Sequence, residues 1–226
     1  MAASQGRTGR PPLTDERKAE IRLEIAHAAV DLFVTQGVAA TTGEQIGQAA
    51  GVSARTLWRY FPSKEACVRP LLTAGIDMIA AALREWQHGR PLAEVLGSHF
   101  EAEQRLIMGP DPTTVGALIR LTRTEPDLRA VWLQTHDAAE PAFARALADR
   151  AGLPADDLRS AIQAAMFNAA LRAAVEQHAW RTPATDADAD ADAEADADTA
   201  TDPATVRADL AEALRTALTM VSEGLT

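Results

Sequence analysis

The sequence is poor in cysteine and in aromatic residues. Cys67 is the single cysteine, so no disulfide can form within the chain. Aromatic residues make up 4% of the chain, and Tyr60 is the only tyrosine. No stretch approaches the ~18 uninterrupted apolar residues of a membrane helix, and the polar start has no apolar signal-peptide segment. These absences predict a protein of the reducing cytoplasm, without a membrane segment.

What the chain does contain favours helices. Hydrophobic residues make up 47% of the 226 residues, and runs of β-branched residues are missing. Apolar residues recur at spacings of three and four between Gly, Pro and capping residues. The pattern predicts an all-α chain in two helical parts, with nine helices at about 14–36, 42–50, 53–61, 63–89, 91–107, 113–124, 126–150, 155–180 and 203–223.

Charge is distributed unevenly along the chain. The net charge is -10, yet residues 1–70 carry nine basic and seven acidic side chains, against thirteen and twenty-five in residues 71–226. Such asymmetry indicates that the basic end meets a polyanion.

Acidic residues are densest near the end of the chain. Residues 186–202 hold eight acidic and no basic side chains. Repulsion between these charges and the small apolar area of alanine predict a disordered loop at about 183–203. A calcium-binding repeat is the alternative, but the tract lacks the glycines that bend such loops around the ion.

Residues 41–64 form two short predicted helices joined at Gly51. Leu57 and Phe61 lie four residues apart on one face of the second helix and are expected in the core. The opposite face carries donors and aromatic rings but no acid, and Lys64 follows one turn later; its residues are Ser53, Arg55, Thr56, Trp58, Arg59 and Tyr60. A helix of this kind fits the major groove of DNA.

The stretch from Thr41 to Glu65 (TTGEQIGQAAGVSARTLWRYFPSKE) resembles the helix-turn-helix signature of the TetR family of regulators. The likeness continues upstream to Arg22 and covers about fifty residues. It implies a DNA-binding domain at 14–65, with its helix-turn-helix at about 41–60. It also implies a ligand-binding and dimerisation domain at 66–226.

The resemblance also implies roles for individual residues. Arg55, Thr56 and Arg59 would read bases. Thr42, Trp58, Tyr60 and Lys64 would contact phosphates, and Ser53 completes the predicted DNA-binding set. On the flexible basic arm, residues 1–13, Arg7 and Arg10 could enter an adjacent minor groove.

Two residues depart from the family pattern. Trp58 stands where tyrosine is usual, which removes a hydroxyl but keeps an N–H that can donate. Gly43 stands where a larger apolar residue is usual, and should weaken its helix by about 1 kcal/mol relative to alanine. The departure at Trp58 puts its phosphate contact in question.

The second part of the chain supports only general expectations. An alanine-rich helix and the last helix are expected to pair with a second copy, through Ala161, Ala165, Ala169, Leu210, Leu214 and Leu218. Packing within one subunit is the alternative. A pocket for a small lipophilic or acyl-type effector is expected among Trp86, Phe100, Met108, Trp132, Phe143, Met166 and Phe167, although each could be plain core.

Enzymatic and adaptor functions fit the sequence less well. His136 beside Asp137 comes near a catalytic dyad, but neighbours on a helix point to different faces. No metal-ligand spacing or phosphate loop occurs, so no catalytic residue, metal or cofactor is expected, and the histidines should be solvated or capping. A helical adaptor without DNA binding would not need the basic face of Arg55, Arg59 and Lys64.

The sequence predicts a homodimeric, ligand-responsive repressor in the cytoplasm, associated with the nucleoid and bound to a near-palindromic operator; an activator of the same fold is the alternative.

Overall fold

The fold is described here from a computed structural model, which covers residues 14–87, 89–92, 94–96, 98, 113–154, 156–181, 212–214 and 216. Within these residues every regular element is helical, which confirms the predicted all-α fold. The elements are α1 (Asp15–Gln36), α2 (Gly43–Ala49), α3 (Ala54–Tyr60), a 3₁₀ turn (Glu65–Val68), α4 (Arg69–Glu85), α5 (Thr113–Leu121), α6 (Pro126–Ala151) and α7 (Leu158–Arg181).

Several predicted features lie outside the described residues. They are the basic arm with Arg7 and Arg10, the pocket candidates Phe100 and Met108, the acidic tract, and the interface candidates Leu210 and Leu218. Of the helices predicted at 91–107 and 203–223, residues 92, 94–96 and 98 and residues 212–214 and 216 are described and helical.

The helix predicted at 63–89 begins and ends differently from the prediction. The Oγ of Ser63 accepts a hydrogen bond from the backbone N–H of Ala66, at 3.2 Å, but the turn that it starts is a 3₁₀ turn. The α-helix begins only at Arg69, with Pro70 in its first turn, where proline's missing N–H costs nothing. The helix ends at Glu85 because Trp86 is extended, four residues short of the predicted end.

Two apolar cores run through the described residues. The first joins α1, α2 and α3 to the 3₁₀ turn, and it continues into Leu118 of α5, Trp132 of α6 and Ala179 of α7. The second lies among α4, α6 and α7, where Phe143 and Phe167 meet edge to face with ring centroids 5.2 Å apart. The helix-turn-helix therefore shares one core with the ends of three later helices.

The segment Glu65–Glu85 is long and apolar enough to cross a membrane, since an 18-residue stretch of it has a mean hydropathy of 1.5. In this fold 61% of that stretch is buried inside the protein. Its hydrophobicity is accounted for by the two cores, which it contacts with residues such as Leu71 and Ile79. Cys67 lies in the same segment, where burial raises the pKa of its thiol to about 12.

Candidate nucleic-acid interface

The turn between α2 and α3 depends on Gly51, whose φ is +67°. Residues with a Cβ rarely adopt this conformation, whereas glycine adopts it freely. The turn is closed by the backbone N–H of Val52, which donates to the carbonyl of Gly47 at 2.8 Å. The two helices are thereby held at a fixed angle.

Polar side chains cap both helices of the motif. The Oγ1 of Thr42 accepts from the N–H of Gln45, and the side chain of Gln45 accepts in return from the N–H of Thr42. At α3, the Oγ of Ser53 accepts from the N–H of Thr56 at 3.1 Å and also lies 2.9 Å from its hydroxyl. Thr42, Ser53 and Thr56 therefore hold the helix starts in place, whatever else they contact.

Helix α3 turns one face to the core and the other to solvent. Leu57 is fully buried, whereas Arg55, Trp58 and Arg59 are exposed. Tyr60 is partly buried. The exposed face carries two guanidinium groups and no acid, as a surface that meets phosphates and base edges requires.

The structure adds Arg22 of α1 to this surface. The guanidinium of Arg22 lies 5.1 Å from the ring centroid of Tyr60, and that of Arg59 lies 5.0 Å from the same centroid. Arg22 is exposed. Sequence reasoning gave it no functional role, because nothing in the spacing of α1 shows that Arg22 faces α3.

The side chain of Lys64, predicted to contact phosphate, is partly buried and hydrogen-bonded within the domain. Its Nζ donates to the carbonyl of Val38 at 2.6 Å and to the carbonyl of Thr41 at 2.9 Å. Two of its three donors are thus engaged by the loop that joins α1 to α2. The ammonium group fixes the approach to Thr42, the cap of α2.

The two residues that depart from the family pattern touch each other. A Cβ placed on Gly43 would lie 2.0, 2.6 and 2.9 Å from the Cζ2, Cη2 and Cε2 atoms of Trp58. Gly43 is buried, while Trp58 keeps 44% of its surface exposed. The indole of α3 therefore occupies the space that a side chain at position 43 would need.

A polar cluster lies between α6 and α7, far along the chain from this motif. His136 Nδ1 and Asn168 Oδ1 are 2.6 Å apart, and Asn168 Nδ2 donates to the carbonyl of His136 and to Glu140. The prediction of a solvated or capping histidine is wrong for His136, which is 3% exposed. Burial lowers its pKa, so the ring is neutral near pH 7.

A buried carboxylate continues this cluster. Glu176 accepts hydrogen bonds from Arg129 and, at 2.7 Å, from the indole N–H of Trp132. The Trp132 ring also meets the His136 ring edge to face, with centroids 4.1 Å apart. Trp132, predicted from the sequence to line a ligand pocket, is therefore fixed in place by a hydrogen bond within its own domain.

The other described pocket candidates differ in their surroundings. Phe143 and Phe167 pack against each other in the second core, and Met166 is partly buried. Trp86 donates its indole N–H to the carbonyl of Arg90 at 2.7 Å, and the guanidinium of Arg150 lies 3.6 Å from its ring centroid.

The predicted dimer residues divide into two groups. Ala161, Ala165 and Ala169 are exposed on one side of α7, where Ile162 is also 50% exposed. Leu214, predicted at the interface, is instead buried in the second core of its own chain, at 8% exposure. Its apolar surface is already used within the subunit.

Comparison with known proteins identifies the family. Residues 25–71 match the profile described as bacterial regulatory proteins, tetR family. The transcriptional regulator TcmR of Streptomyces glaucescens is 30% identical over 152 residues, which span 65% of this chain and 67% of TcmR. The chain belongs to the tetR family. It is a DNA-binding transcriptional regulator and not an enzyme.

Two further proteins are similar to this chain. The transcriptional repressor KstR2 of Rhodococcus jostii is 35% identical over 77 residues, which span 33% of this chain and 38% of KstR2. The solved structure of Salmonella enterica GusR is 19% identical, spans 92% of this chain and 97% of its own, and gives a TM-score of 0.51. This last likeness concerns the fold alone.

Proposed function

We propose that this tetR-family member is a ligand-responsive repressor that binds a near-palindromic operator as a homodimer. The observation that carries the proposal is the exposed face of α3, a helix that presents Arg55 and Arg59 to solvent and contains no acidic residue. In this proposal Arg55, Thr56 and Arg59 read base edges in the major groove. Thr42, Ser53, Tyr60 and Arg22 contact the flanking backbone, and Arg7 and Arg10 reach a minor groove.

The proposed assignment of functions to two domains follows the two cores. Residues 14–65 form the DNA-binding domain, and residues 66–226 bind the effector and the second subunit. The first core supports a route between them, because it joins α1–α3 to Leu118, Trp132 and Ala179. An effector that binds one packing arrangement of α4, α6 and α7 more tightly would shift the spacing of the two α3 helices. Such coupling is typically ~1–3 kcal/mol.

The proposed effector is a small lipophilic or acyl-type molecule. The second core supports this choice with the aromatic pair Phe143 and Phe167 and with the Trp86 ring, which packs against the same core. The proposed dimer contact is the exposed alanine side of α7. The proposed location is the cytoplasm, in association with the nucleoid through DNA binding.

Selection of bound sequences from random DNA duplexes tests the DNA-binding part. We expect one enriched near-palindrome, and binding to it that weakens steeply with salt. Enrichment of no sequence would contradict sequence-specific binding. A promoter carrying the selected site, fused to a reporter, then tests repression, since an activator would raise expression where a repressor lowers it.

A screen of metabolites by thermal shift tests the effector. A true effector raises the melting temperature and changes operator affinity in the same concentration range, because both report one binding event. A molecule that stabilises the protein and leaves operator affinity unchanged would not support the proposed regulation.

A further inference from the structure

We infer that Gly43 and Trp58 are a matched pair that positions helix α3 on helix α2, and that Trp58 serves DNA reading as a positioning residue. The inference rests on the DNA-binding function proposed above. It gives a single explanation for both departures from the family pattern, glycine at position 43 and tryptophan at position 58.

Space, and not backbone conformation, requires glycine at position 43. The residue lies in the first turn of α2, with no left-handed φ. An alanine Cβ would fall 2.0 Å from the nearest indole atom, a separation that two carbon atoms cannot adopt without movement. A helix normally loses stability at a glycine. Here the indole covers the gap that glycine leaves, and Gly43 is buried.

The indole bridges the two helices at their solvent side. Its nearest atoms to Gly43 are Cζ2, Cη2 and Cε2, and Cε2 is the atom bonded to the indole nitrogen. The edge of the six-membered ring is therefore close to the start of α2. Trp58 remains 44% exposed, so it covers the contact between α2 and α3 on the solvent side, while Leu57 is buried on the core side of α3.

A fixed indole also restricts the residue that precedes it on the same face. Arg55 lies three residues before Trp58 on α3, and side chains at this spacing are neighbours. A ring packed against the start of α2 limits the directions open to the Arg55 side chain. Base contacts need positions held within a fraction of an ångström, so the pair affects reading even without touching DNA itself.

A double-mutant cycle tests the pairing. Gly43→Ala in the wild-type chain should lower affinity for the selected operator at least tenfold, because the methyl group displaces the indole. Trp58→Tyr provides the smaller ring usual in the family. In that background Gly43→Ala should change affinity less than threefold. An equal loss in both backgrounds, or no loss in either, would overturn the inference.

A matched control separates this effect from the general effect of alanine in a helix. Gly75 of α4 is also a helical glycine, but a Cβ placed there meets nothing within 4 Å. Gly75→Ala should leave operator affinity unchanged in both backgrounds. A loss as large as that of Gly43→Ala would show that the affinity responds to any such change in the chain.

The position of the indole is measured without DNA, so failure of the DNA-binding function remains distinguishable from failure of the pairing. In protein containing 5-fluorotryptophan, ¹⁹F NMR gives a signal for each tryptophan, and Trp58→Tyr identifies the one from position 58. Gly43→Ala should shift that signal, and Gly75→Ala should not. An unmoved signal would show that the indole does not depend on position 43.

Discussion

Single side chains on α3 differ in how the fold holds them. Arg55 and Arg59 extend into solvent, although Arg59 lies over the Tyr60 ring. Ser53 and Thr56 are tied to the helix start, and Trp58 is set by Gly43. The residues free to adapt to DNA are therefore the two arginines, whose planar guanidinium groups suit guanine.

Replacement of Arg59 by alanine tests base reading. We expect specific binding to weaken by ~1–3 kcal/mol, with relaxed base preference at one operator position. Competition binding against operators altered one base pair at a time measures both effects. Arg123→Ala is the matched control, because Arg123 also lies over an aromatic ring, 5.1 Å from the centroid of Trp180, but outside the helix-turn-helix. Equal losses for both variants would contradict base reading by Arg59.

Lys64 should act on stability and not on phosphate contact. Lys64→Met leaves the carbonyls of Val38 and Thr41 without their charged donor, so the free energy of unfolding should fall by ~1–2 kcal/mol. Urea denaturation measures this change. The slope of log operator affinity against log salt concentration should stay the same. A decrease of that slope by about one would instead support the phosphate contact expected from the sequence.

Among the helices, α6 and α7 are joined by more than apolar contact. One end of their interface holds Glu176 between Arg129 and Trp132, and the next turns hold His136 against Asn168. Buried polar groups that find partners fix the register of two packed helices, because sliding would leave them unpaired. The Nε2 atom of His136 is buried and has no partner among the described residues.

The neutral state of His136 predicts a loss of stability in acid. Burial lowers the pKa of His136 below its ordinary value of 6.5, whereas the unfolded chain binds a proton near that value. The stability contributed by the neutral ring is complete above about pH 6.5 and falls as the pH drops toward the lowered pKa.

Thermal melting at pH 7.5 and pH 5.5 measures this effect. The wild-type melting temperature should fall between the two values by more than that of His136→Asn, whose amide cannot take up a proton in this range. Arg129, Arg172, Glu140 and Glu176 stand near the ring in both proteins, so their charges are matched. Parallel falls in the two proteins would assign the acid sensitivity to other groups.

At the scale of the whole molecule, the face of α7 that carries the exposed alanines stands out. Leu158 is 71% exposed and Ile162 is 50% exposed beside Ala161, Ala165 and Ala169. Small side chains let two helices approach closely, as the proposed two-fold contact requires. Between α6 and this side of α7 lies an open cleft of about 420 Å³, with His136 and Asn168 in its wall.

Ala165→Glu tests the proposed dimer. A carboxylate at this exposed position should leave the subunit folded but place two desolvated charges in the contact, so the protein should become a monomer. Sedimentation equilibrium measures the mass. Operator affinity should also fall, because a monomer brings only one α3 helix to the DNA. Ala19→Glu, at an exposed position on α1, is the control and should remain a dimer. A dimeric Ala165→Glu protein would place the contact elsewhere.

Much of the fold could be predicted from the sequence because its signals are local. Helix α1 follows from the cap at Thr14 and the apolar spacing that places Ile25, Ala29 and Phe33 in the core. The turn at Gly51 and the exposed arginines of α3 follow in the same way. Each of these signals lies within a few residues, where capping, backbone freedom and helical periodicity decide the outcome.

Only the tertiary structure decided which distant residues meet. Trp58 fills the space above Gly43, Lys64 reaches a carbonyl 26 residues earlier, and His136 meets a partner 32 residues later. These contacts depend on how helices cross, and helix crossing follows from the packing of whole surfaces, which spacing along one helix does not encode. The sequence by itself thus determined most of the described helices and the basic, exposed face of α3, and the packing of those helices decided which side chains of the motif are held within the protein.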